Sequence, residues 1–327
     1  MGVATGWGAF SGGLDSVIAA RLLIEQGIRI ELVTLASPFF GMEDARAYAA
    51  QLEVPWHRLD FTETMLSIVA DPATGYGSRM NPCVDCHAGM LRFVYETFSP
   101  GPEDFLFTGE VLGQRPFSQN RGSMRRIEKL SGLPGRVLRP LSAKLLDPTE
   151  PEVSGVVDRE RLLDLSGRGR KRQMALARSY GLDYRQPGGG CLLTDPAYAE
   201  RLRVVLEMDL LSAETAELLK HGRMFRTSPG SVGLVGRSRE DNERLEELSK
   251  GRLTLRLGDR PGPLGVHLGE SLERAVDRLA GLVALYGKVA SGEKVRVLLS
   301  DGRVFDSRPS TREEATARHV IPPPPTG

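Results

Sequence analysis

Apolar residues come in short runs separated by glycine-rich and charged stretches, and the spacing of those runs predicts alternating strands and helices. Residues 7–10 read as the end of a buried strand, and Leu14, Val17, Ile18 and Leu22 follow at helical spacing. A second apolar run covers residues 30–35, a helical pattern residues 43–52, a third strand residues 54–59 and a fourth residues 105–108. Such alternation predicts an α/β fold with a parallel sheet covered on both faces. Ligands of such sheets bind at the carboxyl ends of the strands.

The middle of the chain is rich in turns. Residues 75–82 carry turn formers ahead of Cys83, residues 136–151 mix prolines with basic side chains, and a short basic run at 167–172 leads into a helix ending near Tyr180. Gly188, Gly189 and Gly190 break the pattern before Cys191. The character changes from about Asp209, where a short helix precedes strands at 232–235 and 253–257 and a pair at 295–299 and 304–305. Ser300-Asp301-Gly302-Arg303 is a good hairpin turn for that last pair. The expected organisation is an α/β parallel-sheet domain over 1–208, a smaller α+β domain over 209–310, and a disordered, proline-ending tail over 311–327.

Composition narrows the class without deciding it. The charged fraction of 26% belongs to folded rather than disordered chains, and a net charge of +1 means that any RNA surface must come from local clusters of arginine and lysine. No run approaches the roughly 20 apolar residues that span a bilayer, and the N-terminal residues do not form a signal peptide. The expectation is a cytoplasmic protein without a membrane partner; the sequence specifies no oligomeric state. Three cysteines in a reducing compartment point to metal or redox chemistry rather than a disulfide framework.

Residues 11–16 read Ser-Gly-Gly-Leu-Asp-Ser, between the first strand and the first helix. Glycines let backbone amides approach an anion closely, and the helix start adds free N–H groups and a positive dipole end. Ser11 and Ser16 can add hydroxyl donors, and Asp15 can hold Mg²⁺ against phosphate oxygens. A plain strand-to-helix turn would need none of this; the whole hexamer at a strand end favours a phosphate site. It lacks the Gly-Lys-Ser/Thr ending of a Walker loop and the spacing of the dinucleotide fingerprint. SGGLDS resembles the PP-loop of the ATP pyrophosphatase superfamily. That resemblance implies cleavage of ATP between its α and β phosphates and adenylation of a substrate oxygen. It places Ser11, Gly12, Gly13, Asp15 and Ser16 around the pyrophosphate, Thr34 and Leu35 near the adenine, and Thr108, Gly109 and Glu110 close to the phosphates.

Cys83 and Cys86 form a Cys-x-x-Cys pair within Asn81-Pro82-Cys83-Val84-Asp85-Cys86-His87, and Cys191 follows more than a hundred residues later. Taken alone, the three admit a redox dithiol, a zinc site with His87 or another residue as fourth ligand, or a 4Fe–4S cluster with one iron open. Buried apolar cysteines are the ordinary alternative, but the sequence predicts all three in loops bounded by proline or glycine. The pattern is similar to that of tRNA 2-thiouridylases and 4-thiouridine synthetases, in which members with three cysteines form an iron–sulfur branch. The resemblance implies that Cys83, Cys86 and Cys191 bind the cluster and act in catalysis together with Asp15. It further implies ATP and Mg²⁺ as cofactors, tRNA as substrate, and sulfur from an external donor, either sulfide or a product of cysteine desulfurase. Residues 108–119 and 138–146 resemble active-site loops of the same enzymes, where Gln114, Arg115, Arg139 and Lys144 would meet phosphate or tRNA.

Residues 236–245, followed by Asp259-Arg260-Pro261-Gly262-Pro263, resemble the RNA-binding domain of the NFACT proteins. Arg237, Arg239 and Arg244 are then the expected phosphate contacts, against the plainer reading of a charged helix face. Two other functions stay open: a PP-loop ligase with structural zinc, and a non-catalytic RNA-binding protein.

Overall fold

In the computed structural model, residues 4–41, 44–186, 191–270 and 272–321 are described. The triple glycine at 188–190 falls outside them. The chain forms two compact units, Met1–Cys191 and Leu192–Gly327.

The first unit is built on five parallel strands: β1 (Thr5–Ala9), β2 (Arg29–Ala36), β3 (Trp56–Asp60), β4 (Phe105–Thr108) and β5 (Val137–Leu138). Their order is β3-β2-β1-β4-β5. The helices are α1 (Leu14–Ile24), α2 (Ala45–Ala50), α3 (Thr62–Ala70), α4 (Cys83–Phe98), α5 (Arg121–Ser131), α6 (Glu150–Val153) and α7 (Lys171–Ser179). All the residues of β2 from Ile30 to Leu35 are buried, including the polar Glu31 and Thr34, which is why that strand does not read as an apolar–polar alternation. The chain winds outward from β1 to β3, then crosses to β4 and β5 on the other side. The carboxyl ends of β1 and β4 therefore flank the point where the winding reverses, and a crevice opens there.

The second unit carries an antiparallel sheet of β6 (Arg223–Ser228), β7 (Ser231–Val235), β8 (Thr254–Leu257), β9 (Gly265–Gly269), β10 (Val295–Leu299) and β11 (Val304–Ser307), in the order β11-β10-β8-β9-β7-β6. Its helices are α8 (Pro196–Glu207), α9 (Ala213–Leu218), α10 (Arg239–Leu248), α11 (Glu273–Tyr286) and α12 (Arg312–Arg318). The apolar side of α11, with Val276, Leu279, Ala280 and Val283, closes over Phe225, Val235, Leu255 and Val297 of the sheet. The turn at 300–303 joins β10 to β11 as its sequence predicts, with Leu299 N–H donating to Arg303 O.

The boundaries differ from the sequence reading in two places. The break falls at Cys191/Leu192, so α8 belongs to the second unit; an amphipathic helix carries no mark of which domain it serves. Residues 312–318 form a helix where a disordered tail is expected. Thr311 caps it by accepting from Glu314 N–H, while Glu314 accepts in return from Thr311 N–H. The proline run that suggested disorder begins only after it.

Candidate nucleotide and cysteine site

The Ser-Gly-Gly-Leu-Asp-Ser loop leaves β1 and enters α1 with Gly13 as the N-cap residue. Gly12 has φ of 69°, a left-handed conformation that a side chain rarely adopts. Ser16 Oγ donates to Gly13 O at 2.9 Å, and Gly13 N–H donates to Ser11 Oγ at 3.3 Å. From outside the loop, Arg185 N–H donates to Gly12 O at 2.8 Å. The loop is thus braced on both sides, while the first N–H groups of α1 have no partner within the helix.

Across from it, β4 ends against the first turn of α1. A Cβ on Gly109 would stand 2.5 Å from Ser16 N and 2.7 Å from Asp15 C, so only glycine lets the two approach this closely. Thr108 and Gly109, at the end of β4, therefore lie beside the loop residues Ser11–Ser16.

Asp15 is half-buried at the mouth of that crevice. Its Oδ2 accepts from Gln114 Nε2 at 2.7 Å. Burial pushes its pKa up, while Gln114, Arg170, Gln173 and Arg115 pull the other way. Gln173 approaches without closing a hydrogen bond: Asp15 Oδ1 and Gln173 Nε2 are both buried and without a partner among the described residues. A carboxylate oxygen and amide hydrogens left unpaired together suit a bound cation and phosphate oxygens. Gln173 and Arg170 escape a reading of the sequence because they belong to α7 and its approach, far along the chain. A polar side chain 1% exposed in an otherwise polar helix marks Gln173 only once the fold is known.

The expected adenine contacts differ in kind. The Thr34 hydroxyl donates to Phe10 O at 2.8 Å and accepts from Trp56 Nε1 at 2.9 Å, so it ties the strands together. Leu35 is buried at the end of β2. Arg139 and Lys144, expected to meet phosphate, are otherwise engaged. Lys144 pairs with Glu160 at 3.1 Å, and Arg139 is 3% exposed inside an ion network.

That network is the feature the sequence hides. Glu110, buried just after β4, is met by Arg139 Nε at 2.9 Å and by His87 Nδ1 at 2.8 Å. Arg139 also pairs with Glu128 on α5. Burial alone would raise the Glu110 pKa, but Arg139 and His87 outweigh it and hold the carboxyl at about 2. As a carboxylate, Glu110 can only accept, so His87 Nδ1 donates to it.

His87 follows Cys86 on α4, whose first residue is Cys83. The Cys83 sulfur accepts from Asn81 Nδ2 at 3.1 Å, and Asn81 is itself buried. Cys86 is buried, and its thiol pKa lies well above the ordinary value, first through burial and then through Cys191, Cys83 and Asp85. The Cys86 thiol therefore lies within electrostatic reach of Cys83 and of Cys191. None is in a disulfide, and no group of three or more His, Cys, Asp or Glu side chains among the described residues is placed to hold a metal ion.

Comparison with known proteins divides along the chain. Residues 222–318 match the NFACT protein RNA binding domain. The chain is 31% identical to a probable tRNA sulfurtransferase of Limosilactobacillus fermentum over 40% of its own length and 32% of that protein's. It is 32% identical to the tRNA-specific 2-thiouridylase MnmA of Beijerinckia indica subsp. indica, over 33% of its length and 29% of that protein's. It thus spans about a third of the length of these curated relatives. A 4-thiouridine synthetase solved with RNA and bound ATP superposes with a TM-score of 0.34 at 19% identity, over 54% of this chain and 51% of that one. The chain is thus similar to tRNA-thiolating enzymes and, over residues 222–318, to the NFACT RNA-binding domain.

Two predictions follow from the geometry. Gly109→Ala drives a methyl group into the backbone of α1, so stability measured by urea titration falls by about 1–3 kcal/mol. Glu110 has a folded pKa below its unfolded value of 4.5, so its contribution to stability is complete above that value and is lost as pH falls toward about 2. Urea titrations between these limits show wild-type stability dropping, and Glu110→Gln flattens that dependence.

Proposed function

We propose that this protein uses ATP to thiolate a uridine of tRNA. The observation that carries the reading is the run Thr108–Glu110. At Gly109 it touches the first turn of α1, beside the phosphate-type loop. At Glu110 it holds His87, next to Cys86. Nucleotide chemistry and thiol chemistry thus meet at the end of one strand.

ATP sits with its phosphates against the N–H groups of Ser11–Ser16, and Asp15 would hold Mg²⁺ through Oδ1, which has no hydrogen-bond partner among the described residues. Leu35 and the end of β2 border the adenine. A uridine carbonyl oxygen attacks the α-phosphate, and the bond to the β-phosphate breaks to release pyrophosphate. The adenylated oxygen is now a good leaving group. A sulfur nucleophile forms the new bond to the ring carbon and AMP departs with the oxygen.

Three cysteine thiolates have the donor chemistry of an iron–sulfur site, and in this reading Cys83, Cys86 and Cys191 would hold a 4Fe–4S cluster. When bound, it supplies an open iron for inorganic sulfide. Glu110, through His87, fixes the direction of the helix that carries Cys83 and Cys86, and Asn81 orients the Cys83 sulfur. Sulfur comes from outside, as sulfide or from a cysteine desulfurase product. The reading places the protein in the cytoplasm, where ATP, tRNA and reduced thiols coexist; no helix among the described residues is long and apolar enough to cross a membrane.

The test is a pair of variants assayed anaerobically with tRNA, ATP and sulfide, with thiouridine read by nucleoside mass spectrometry. Asp15→Ala abolishes thiouridine while iron content stays at the wild-type level. Cys86→Ala loses both iron and thiouridine but retains ATP binding. Full thiolation by Cys86→Ala would refute the role of the cysteines.

A further inference from the structure

The arginines that the sequence marks for RNA are occupied. Arg237 Nε lies 2.6 Å from Asp241, Arg239 Nε 2.7 Å from Glu243 and Arg244 Nη1 2.9 Å from Glu247. Each is neutralised by a carboxylate three or four residues ahead on α10, and that helix carries more carboxylates than arginines, so it presents an acidic surface rather than a cationic one.

A different set of arginines in the same unit has no such partners. Arg274 and Arg278 are one turn apart on α11 and so share a face of that helix. Arg278 Nη1 donates to Thr227 O, at the end of β6, at 2.7 Å. Its pKa is drawn down by burial and then by the charges of Arg274 and Arg318, while the Asp277 carboxylate pulls it up. Arg318 ends α12, which packs on β6: Val320 N–H donates to Met224 O at 3.0 Å, and the His319 ring meets the Phe225 ring edge-on at 4.9 Å. Arg274 is exposed, Arg278 and Arg318 are half-buried, and none of the three forms an ion pair among the described residues. The patch continues along β6 to Arg223, whose guanidinium lies 4.5 Å from the centre of the Tyr286 ring.

Three like charges gathered by the fold, with Asp277 as a neighbouring carboxylate but no ion pair to any of them among the described residues, repel one another, and the repulsion is relieved by an external anion. Three cations spaced along two helix ends suit a polyanion better than a single small ion. All three lie within residues 222–318, the stretch that matches an RNA-binding domain. Resting on the reading of tRNA as substrate, we infer that the RNA backbone docks on Arg274, Arg278 and Arg318, at the side of the sheet bounded by β6, and that α10 is not the RNA-binding face.

The test measures binding of the full-length protein to an unmodified tRNA transcript across a series of potassium chloride concentrations. Arg274→Ala/Arg278→Ala/Arg318→Ala weakens binding about tenfold or more near 0.1 M salt, and reduces the slope of log K against log salt by roughly 2 to 3. Because Arg278 also bonds to β6, Arg274→Ala/Arg318→Ala serves as a second variant that spares this hydrogen bond, with a slope reduced by roughly 1 to 2. Arg237→Ala/Arg239→Ala/Arg244→Ala stays within about twofold of wild type. Wild-type binding that survives both α11–α12 variants, or that is lost in the α10 variant instead, overturns the assignment of the face alone. Failure of the wild-type protein to bind tRNA at any salt concentration overturns the tRNA reading along with it.

Discussion

Glu110 has almost no access to water, yet it carries a full charge. An ionised carboxylate in that position is costly unless it is paired and hydrogen-bonded, and removing one partner of a buried pair typically costs about 3–5 kcal/mol. Set against a net stability of roughly 5–15 kcal/mol for a domain, that is a large share. Arg139 and His87 both meet the charge, and Arg139 is in turn met by Glu128. The chain of contacts runs from α5, past the strand ends, to the helix that bears Cys83 and Cys86. Everything in the crevice takes its alignment from it: Gly109, one residue before Glu110, lies against α1, and His87 lies one residue beyond Cys86.

The same constraint explains why the two chemistries of the first unit occur together. A loop that offers N–H groups to phosphate and an acid with an unpaired oxygen is suited to nucleotide and Mg²⁺. Thiols a few residues from Glu110's partner are suited to sulfur. Neither requires the other in general, but here both are fixed to the residues after β4. The second unit carries arginines that form no ion pair among the described residues. In the proposed reading the division of labour is chemical: activation and sulfur in one unit, backbone charge recognition in the other.

How much of this the sequence discloses depends on whether the interacting residues are neighbours in the chain. The loop at 11–16 is contiguous, so its glycines, serines and Asp15 are legible directly, as are the apolar runs of β1 to β4 and the turn at 300–303. The Glu110 network is not, because His87 is 23 residues before it and Arg139 is 29 after, and nothing in local patterning pairs them. The same holds for Gln173, a polar residue whose burial is a property of the fold. Arg237, Arg239 and Arg244 teach the converse. Their carboxylate partners are within four residues and were visible, but a run of arginines near an RNA-binding motif outweighs spacing when nothing shows which charges are already balanced. The capping box at Thr311 and Glu314 was equally local, and was overshadowed by the prolines that follow.

The account stands or falls on activation of RNA by ATP, and that step can be isolated by withholding sulfur. The most direct measurement incubates the protein with ATP labelled at the α-phosphate and an unmodified tRNA transcript, then follows label on the RNA and the release of pyrophosphate. The account predicts labelled RNA, with pyrophosphate formed only when RNA is present. Hydrolysis to ADP and phosphate, or pyrophosphate release that ignores RNA, would contradict it.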